Sequence, residues 1–253
     1  MSKIRYIIFT LLILTSFAIA AIFLYTDKTE KMPDFAKISD IKERKLAFIS
    51  YIIPYINKEI KKVHNDRSHL VKLYKEFIDG KELSAKDHDW LTKLTHKYKM
   101  KNNDINNLMT WSELQKRLDI LPTSMIIAQA ALESAWGTSR FAQIGNNLFG
   151  QQCYTKGCGI MPLKRDNGKN HEVMKFNNIG KSIEAYLLNL NRHNAYEMLR
   201  TTRRTNRFKN QYIGEDDLHK RLGKYSEIGN DYNIIVEKII SQNKLQKYDK
   251  KFD

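Results

Sequence analysis

The 253-residue chain has no internal repeat and no low-complexity tract, and it holds only two cysteines. The missing repeats exclude a solenoid or other repeat array. With two cysteines and no further ligands at sensible spacing, a zinc site is not expected. The histidines His64, His69, His88 and His96 show no metal-ligand spacing with carboxylates, so neither metal nor cofactor is expected. Acidic residues are also scarce, 28 against 43 basic, which leaves a formal net charge of +15. Such an excess points to an anionic partner: nucleic acid, a membrane surface or an acidic polymer. No nucleic-acid-binding motif is present to favour the first of these.

Long uncharged runs are rare, and the clearest lies at the start. Lys3 and Arg5 precede Tyr6–Tyr25, YIIFTLLILTSFAIAAIFLY. About twenty uncharged residues is the length a membrane-spanning helix needs, and the leading positive charges keep the N-terminus cytoplasmic. Ala18-Ile19-Ala20 also fits a signal-peptide cleavage pattern, but the apolar run continues beyond it, which favours an uncleaved anchor over residues 1–25. On either reading the body works outside the cytoplasm, so nucleic acid is not the expected partner. In an exported protein Cys153 and Cys158 can close a small disulfide loop, with Gly157 and Gly159 allowing a tight turn; two unpaired thiols are the alternative.

Residues 26–34 are polar, carry Pro33 and read as a linker. Residues 35–121 read as a helical annex. Asp40 with Glu43 resembles a capping box, and Leu46, Ile49, Ile53, Ile56, Ile60 and Val63 form a helical stripe. Pro54 should kink or divide that stripe. Shorter stripes follow at Leu70–Phe77 and, after a cap at Ser84, at Leu91–Tyr98; Thr110 with Glu113 marks the start of another helix. The charged residues of this annex read as solvated faces.

From Pro122 to Trp136 the sequence predicts a helix with almost no polar face, closed by Gly137. Its single carboxylate is Glu133. A carboxyl group in apolar surroundings, at a helix end where the dipole disfavours negative charge, keeps its proton nearer to neutral pH, as a general acid must. Ser139 caps a short helix ending at Gly145. Gln151–Tyr154, Ile160–Leu163 and His171–Phe176 then read as a small β-element, with Asn167-Gly168 as a hairpin turn. Helices resume near Gly180 and run to the end.

The run Ala131-Leu132-Glu133-Ser134-Ala135-Trp136-Gly137, followed by Asn147-Leu148-Phe149-Gly150, resembles the signature of glycoside hydrolase family 73, bacterial peptidoglycan-cleaving glucosaminidases with a lysozyme-like fold. The resemblance extends through Cys158-Gly159-Ile160, His171-Glu172-Val173-Met174-Lys175-Phe176 and Ala185-Tyr186-Leu187-Leu188-Asn189-Leu190-Asn191, and is similar in that detail to the Bax branch. It implies a mainly α chain: a lysozyme-like α+β catalytic domain over 122–253 with a small β-hairpin, preceded by the annex. The implied activity is hydrolysis of the β-1,4 bond after N-acetylglucosamine in peptidoglycan, without cofactor; the N-terminal segment places the protein, expected to be a monomer, in the cell envelope, anchored in the inner membrane with its catalytic domain in the periplasm or exported after signal cleavage. A catalytically silent wall-binding module and a lytic transglycosylase are the alternatives.

Carried onto this sequence, the resemblance makes Glu133 the general acid and Glu172 the second acid, with Asp166 the other candidate. Glu172 also reads as an ordinary exposed strand residue. Two carboxyl groups about 5 Å apart would imply retention, and roughly 6.5–9.5 Å inversion; with neither acid close, the substrate's acetamido oxygen can attack instead. Tyr225, in a late segment that lacks the family's Asp-Pro pair and carries an extra residue, matches a tyrosine that lines the site. Asn147 and Phe149 would shape the sugar cleft, Phe149 by stacking on a pyranose face or else as a core residue. Trp136 reads as core.

Overall fold

A computed structural model describes residues 31–101, 103–163, 171–209 and 218–249 of the chain. The expected membrane segment, Asp166 and the Asn167-Gly168 turn lie outside these residues. Among the described residues no helix is long and apolar enough to cross a membrane.

The protein is mainly α with one small antiparallel sheet, as the sequence implied. Among the described residues eight α-helices run in order: α1 (Ile41–Ile78), α2 (Ala85–Lys97), α3 (Leu108–Arg117), α4 (Thr123–Glu133), α5 (Arg140–Gly145), α6 (Ile179–Arg192), α7 (Glu197–Phe208) and α8 (Asn230–Gln242). Asp40 caps α1 by accepting from the Glu43 amide at 2.7 Å, and Ser84 caps α2. Pro54 does not divide α1: one 38-residue helix passes through it. A long stripe of packed side chains on both sides of the proline outweighs one missing hydrogen bond. Helix α3 begins at Leu108, earlier than Thr110, because Asn107 takes the capping role through the Met109 amide.

Two clusters of buried side chains share α1. Its first half contributes Phe48, Ile49, Ile52, Ile56 and Ile60 to the larger core, with α4, α6 and α8. Its second half contributes Leu70 and Leu73 to a smaller core with Leu91, Leu94, Trp111 and Leu114. Val63 packs against both.

At the junction of the two cores sits Asp119, 2 % exposed. Arg207 of α7 grips both of its oxygens, while Arg67 of α1 and Arg203 of α7 lie at 3.4 and 3.8 Å. Burial alone would raise its pKa, but the Arg207 hydrogen bonds and the charges of Arg203, Arg67 and Arg207 hold it below the ordinary value. The same arginines donate to the carbonyls that end α3: Arg67 to Gln115 and Leu118, Arg203 to Lys116 and Arg117. Part of the positive charge therefore serves internal helix ends, where cations are favourable.

The sheet comprises β1 (Gln152–Cys153), β2 (Gly159–Ile160) and β3 (Glu172–Met174), in the order β1-β3-β2 with both pairings antiparallel. Gln152 faces Val173, and Ile160 faces Val173 from the other side. At Gly159 any Cβ would stand 2.1 Å from the Val173 carbonyl oxygen, so only glycine fits the approach. Cys153 and Cys158 form a disulfide.

Candidate active site

Helix α4 is buried from Thr123 to Ala131, and its amino end is held by a distant residue: Asp249 accepts from both the amide and the hydroxyl of Ser124 at 2.7 Å. The helix ends at Glu133 rather than at Trp136. Ala135, Trp136 and Gly137 all take positive φ, 49°, 58° and 77°, which costs about 1–2 kcal/mol for each non-glycine residue. Ser134, fully buried, holds the turn by donating to the Ala130 carbonyl and accepting from the Gly137 amide. The Trp136 amide returns to the Ala131 carbonyl at 2.8 Å, and the indole packs edge-on against Phe48. At Gly137 a Cβ would meet the Phe35 ring at 2.7 Å, so the turn is also fixed by close packing. Glu133 thus projects from a rigid helix end, half-buried.

Its carboxylate accepts a 2.8 Å hydrogen bond from the Tyr232 hydroxyl. That hydroxyl accepts from Gln129 Nε2 at 3.0 Å, and Gln129 Oε1 accepts from the Tyr186 hydroxyl. A chain of neutral groups therefore runs from α6 through α4 to α8 and ends on Glu133. Burial raises the pKa of Glu133 above the ordinary carboxylate value, and the Tyr232 bond offsets only part of that rise. Burial also raises the phenols of Tyr186, Tyr225 and Tyr232, so each keeps its proton as a donor at neutral pH. On its other side Glu133 meets backbone: a Cβ at Gly150, φ 67°, would lie 3.7 Å from Glu133 Oε2.

The other expected site residues fall into three positions. Tyr225 joins the aromatic cluster, stacked on Tyr232 with ring centroids 5.3 Å apart, and donates to the Phe149 carbonyl at 3.1 Å. It supports the loop opposite Glu133 while Tyr232 makes the bond to the acid. Phe149 is 3 % exposed and stacks on Tyr186 at 4.0 Å, so of its two expected roles, sugar platform or core residue, the ring takes the second. Asn147 is also buried, and all its polar atoms are engaged. Its amide donates to the Gln151 and Met174 carbonyls, and its oxygen accepts from the Phe149 and Gln151 amides. It braces the loop to the sheet instead of facing the cleft.

Glu172, expected as the second acid, lies on β3 and is buried rather than exposed. Its two oxygens accept from the Gly157 and Gly159 amides at 2.9 and 2.8 Å, anchoring the loop that the disulfide closes. Nothing local to Glu172 signals this task, since both amides belong to residues 13 and 15 positions away. Glu172 and both cysteines lie together, but the sulfurs are bonded to each other and leave no thiolate for a metal.

Sequence reasoning missed Gln129, Tyr186 and Tyr232. The first was within reach: Gln129 precedes Glu133 by four residues, so both lie on one helix face. Tyr186 lies within the segment Ala185–Asn191 that carries the resemblance and Tyr232 in the last helix, and nothing local distinguishes a tyrosine whose hydroxyl meets a distant polar partner.

Comparison with known proteins bears on this geometry. Residues 108–245 match the glucosaminidase family model, described as mannosyl-glycoprotein endo-beta-N-acetylglucosaminidase. The chain is similar to the protein bax of Escherichia coli (strain K12), 33% identical over 206 residues, covering 81% of this chain and 72% of that one. Among solved structures it is similar to the catalytic domain of the autolysin Auto from Listeria monocytogenes, at 19% identity over 70% of this chain and 96% of that one. The TM-score of that pair is 0.37.

Proposed function

Because the chain belongs to the glucosaminidase family, we propose that it is a peptidoglycan hydrolase that cuts the β-1,4 bond after N-acetylglucosamine, with Glu133 as the general acid. The observation that carries this reading is the setting of Glu133: a lone carboxyl group on a rigid helix end, its pKa raised by burial and its orientation held by Tyr232. Such a group holds the proton that the departing glycosidic oxygen needs.

In the proposed reaction Glu133 protonates the leaving oxygen as its bond to the anomeric carbon breaks. The nucleophile we favour is the substrate's own acetamido oxygen, which closes a ring on the anomeric carbon; water then opens the ring and returns a proton to Glu133. What supports this route over a second carboxylate is the commitment of both Glu172 oxygens to loop amides. Tyr232, Gln129 and Tyr186 act as positioning residues that fix the carboxyl rotamer. Residues 6–25 would tether the body, a monomer, to the membrane on its periplasmic side.

The test is digestion of purified peptidoglycan with the protein, followed by mass spectrometry of the fragments. New reducing ends at N-acetylglucosamine are expected, absent with Glu133→Gln. Anhydro-sugar ends would identify a lytic transglycosylase, and normal turnover by Glu133→Gln would remove Glu133 from the mechanism.

A further inference from the structure

Away from Glu133, a cavity of about 610 Å³ lies where the end of α2, the start of α3 and the end of α6 meet. Arg192, on its wall, is six residues along α6 from Tyr186, about 9 Å of helix axis. Glu133 is not among the residues that line the cavity.

Its chemistry is mixed. Lys99, Lys101 and Arg192 supply positive charge, and among the described residues neither lysine is paired with a carboxylate. The one acid on the wall, Glu113, is already held by Arg117 and Lys116, each at 2.6 Å. Thr110, in the first turn of α3, is 2 % exposed, and its hydroxyl has no hydrogen-bond partner among the described residues. A buried hydroxyl without a partner is destabilising, and a small shift of the cavity wall that brought it to a polar ligand would offset that cost. Beside it Met109 is 72 % exposed, and with Met100 it gives the cavity an adaptable apolar wall. The positive end of the α3 dipole adds to the field of the cations. A bare ion would need neither this volume nor the methionines, since small-molecule sites span roughly 300–1,000 Å³.

We propose that this cavity binds a short acidic peptide by its carboxylate. Resting on the reading of the protein as a peptidoglycan hydrolase, we assign the peptide to the substituent carried by the glycan strand. The site would grip the strand's side branch while Glu133 acts on its backbone, linking two points of one polymer and lowering KM for branched strands.

The binding test uses the full chain and N-acetyl-alanyl-glutamate, with its neutral diamide as control, followed by calorimetry. The acid is expected to bind at least tenfold more tightly than the diamide, and Lys99→Gln/Lys101→Gln to weaken it at least tenfold. Equal binding of acid and diamide, or an unaffected double variant, overturns the proposal. So does inorganic phosphate that binds as tightly as the peptide and competes with it, since the cavity is then a general anion site. A second measurement compares strands bearing peptides with strands stripped of them. The wild type should cleave the former several-fold faster, and the double variant should treat both alike at the bare-strand rate. Equal rates in the wild type remove the branch-gripping role and leave the hydrolase reading intact. Cleavage of neither strand removes the hydrolase reading, while the calorimetry still decides the peptide site.

Discussion

The Tyr232 hydroxyl donates a 2.8 Å hydrogen bond to Glu133, and the same hydroxyl accepts one from Gln129. The bond favours the ionised carboxylate, so it trims a pKa that burial pushes up. Tyr232→Phe should therefore raise the Glu133 pKa further, because the bond that favours its ionised form is lost. The basic limb of kcat/KM, where activity falls as the acid loses its proton, should move to higher pH. A limb that stays in place, or moves down, would dissociate Tyr232 from the acid.

Glu133→Gln should abolish turnover without lowering stability. The sign follows from the raised pKa: between the unfolded and folded values the folded state holds more protons, so stability declines as pH rises through that window. Glutamine removes this loss and still accepts from Tyr232. Thermal melts should show the variant at or above the wild type at pH 7, with the gap closing below pH 4. A variant that melts lower at pH 7 would give Glu133 a stabilising role instead.

Glu172→Gln distinguishes a loop anchor from a second acid. One amide would face an NH₂ group in place of an acceptor, at a cost of about 1–3 kcal/mol. As an anchor, its loss should lower thermal stability and expose residues 154–157 to proteolysis, with the shape of the pH profile unchanged. An acid limb present in the wild type and absent from the variant, with the loop intact, would restore Glu172 as a reacting carboxylate.

Asp119→Asn should destabilise the protein by about 3–5 kcal/mol, since it leaves Arg203 buried without its counter-charge. The folded-state pKa of Asp119 is lowered, so its contribution is present above the unfolded value near 4 and lost as pH falls through the lower folded value. Acid unfolding followed by circular dichroism should show the wild type losing stability in that range and the variant lacking that step.

Much of this was legible in the chain because the determining interactions are local. The α4 segment shows its burial in Met125–Ala131, its caps appear within a few residues of the helix ends, and Glu133 stands out as the only charge in that stretch. What escaped was decided at long range. Tyr232 lies 99 residues from Glu133, and Asp249 reaches back 125 residues to cap α4. A motif fixes the position of Asn147 and Phe149 in sequence and not the direction a side chain faces, so a cleft-facing Asn147 is expected wrongly and platform against core stays open for Phe149 until packing decides. The local cost of Pro54 is evident in the sequence, and the packing along α1 that offsets it is not.

The surroundings of Glu133 also separate two effects that usually travel together. Its proton affinity is governed by burial and a neutral phenol, with no lysine or arginine among the causes of its shift. Short-range desolvation and a single hydrogen bond are barely screened, whereas the attraction of a chain of net charge +15 to an anionic polymer is screened within about 8–10 Å at moderate ionic strength. Raising the salt concentration should thus weaken the hold on the wall while leaving the pH of half-maximal turnover fixed. Ionic strength becomes a control for binding alone, and pH a control for chemistry alone.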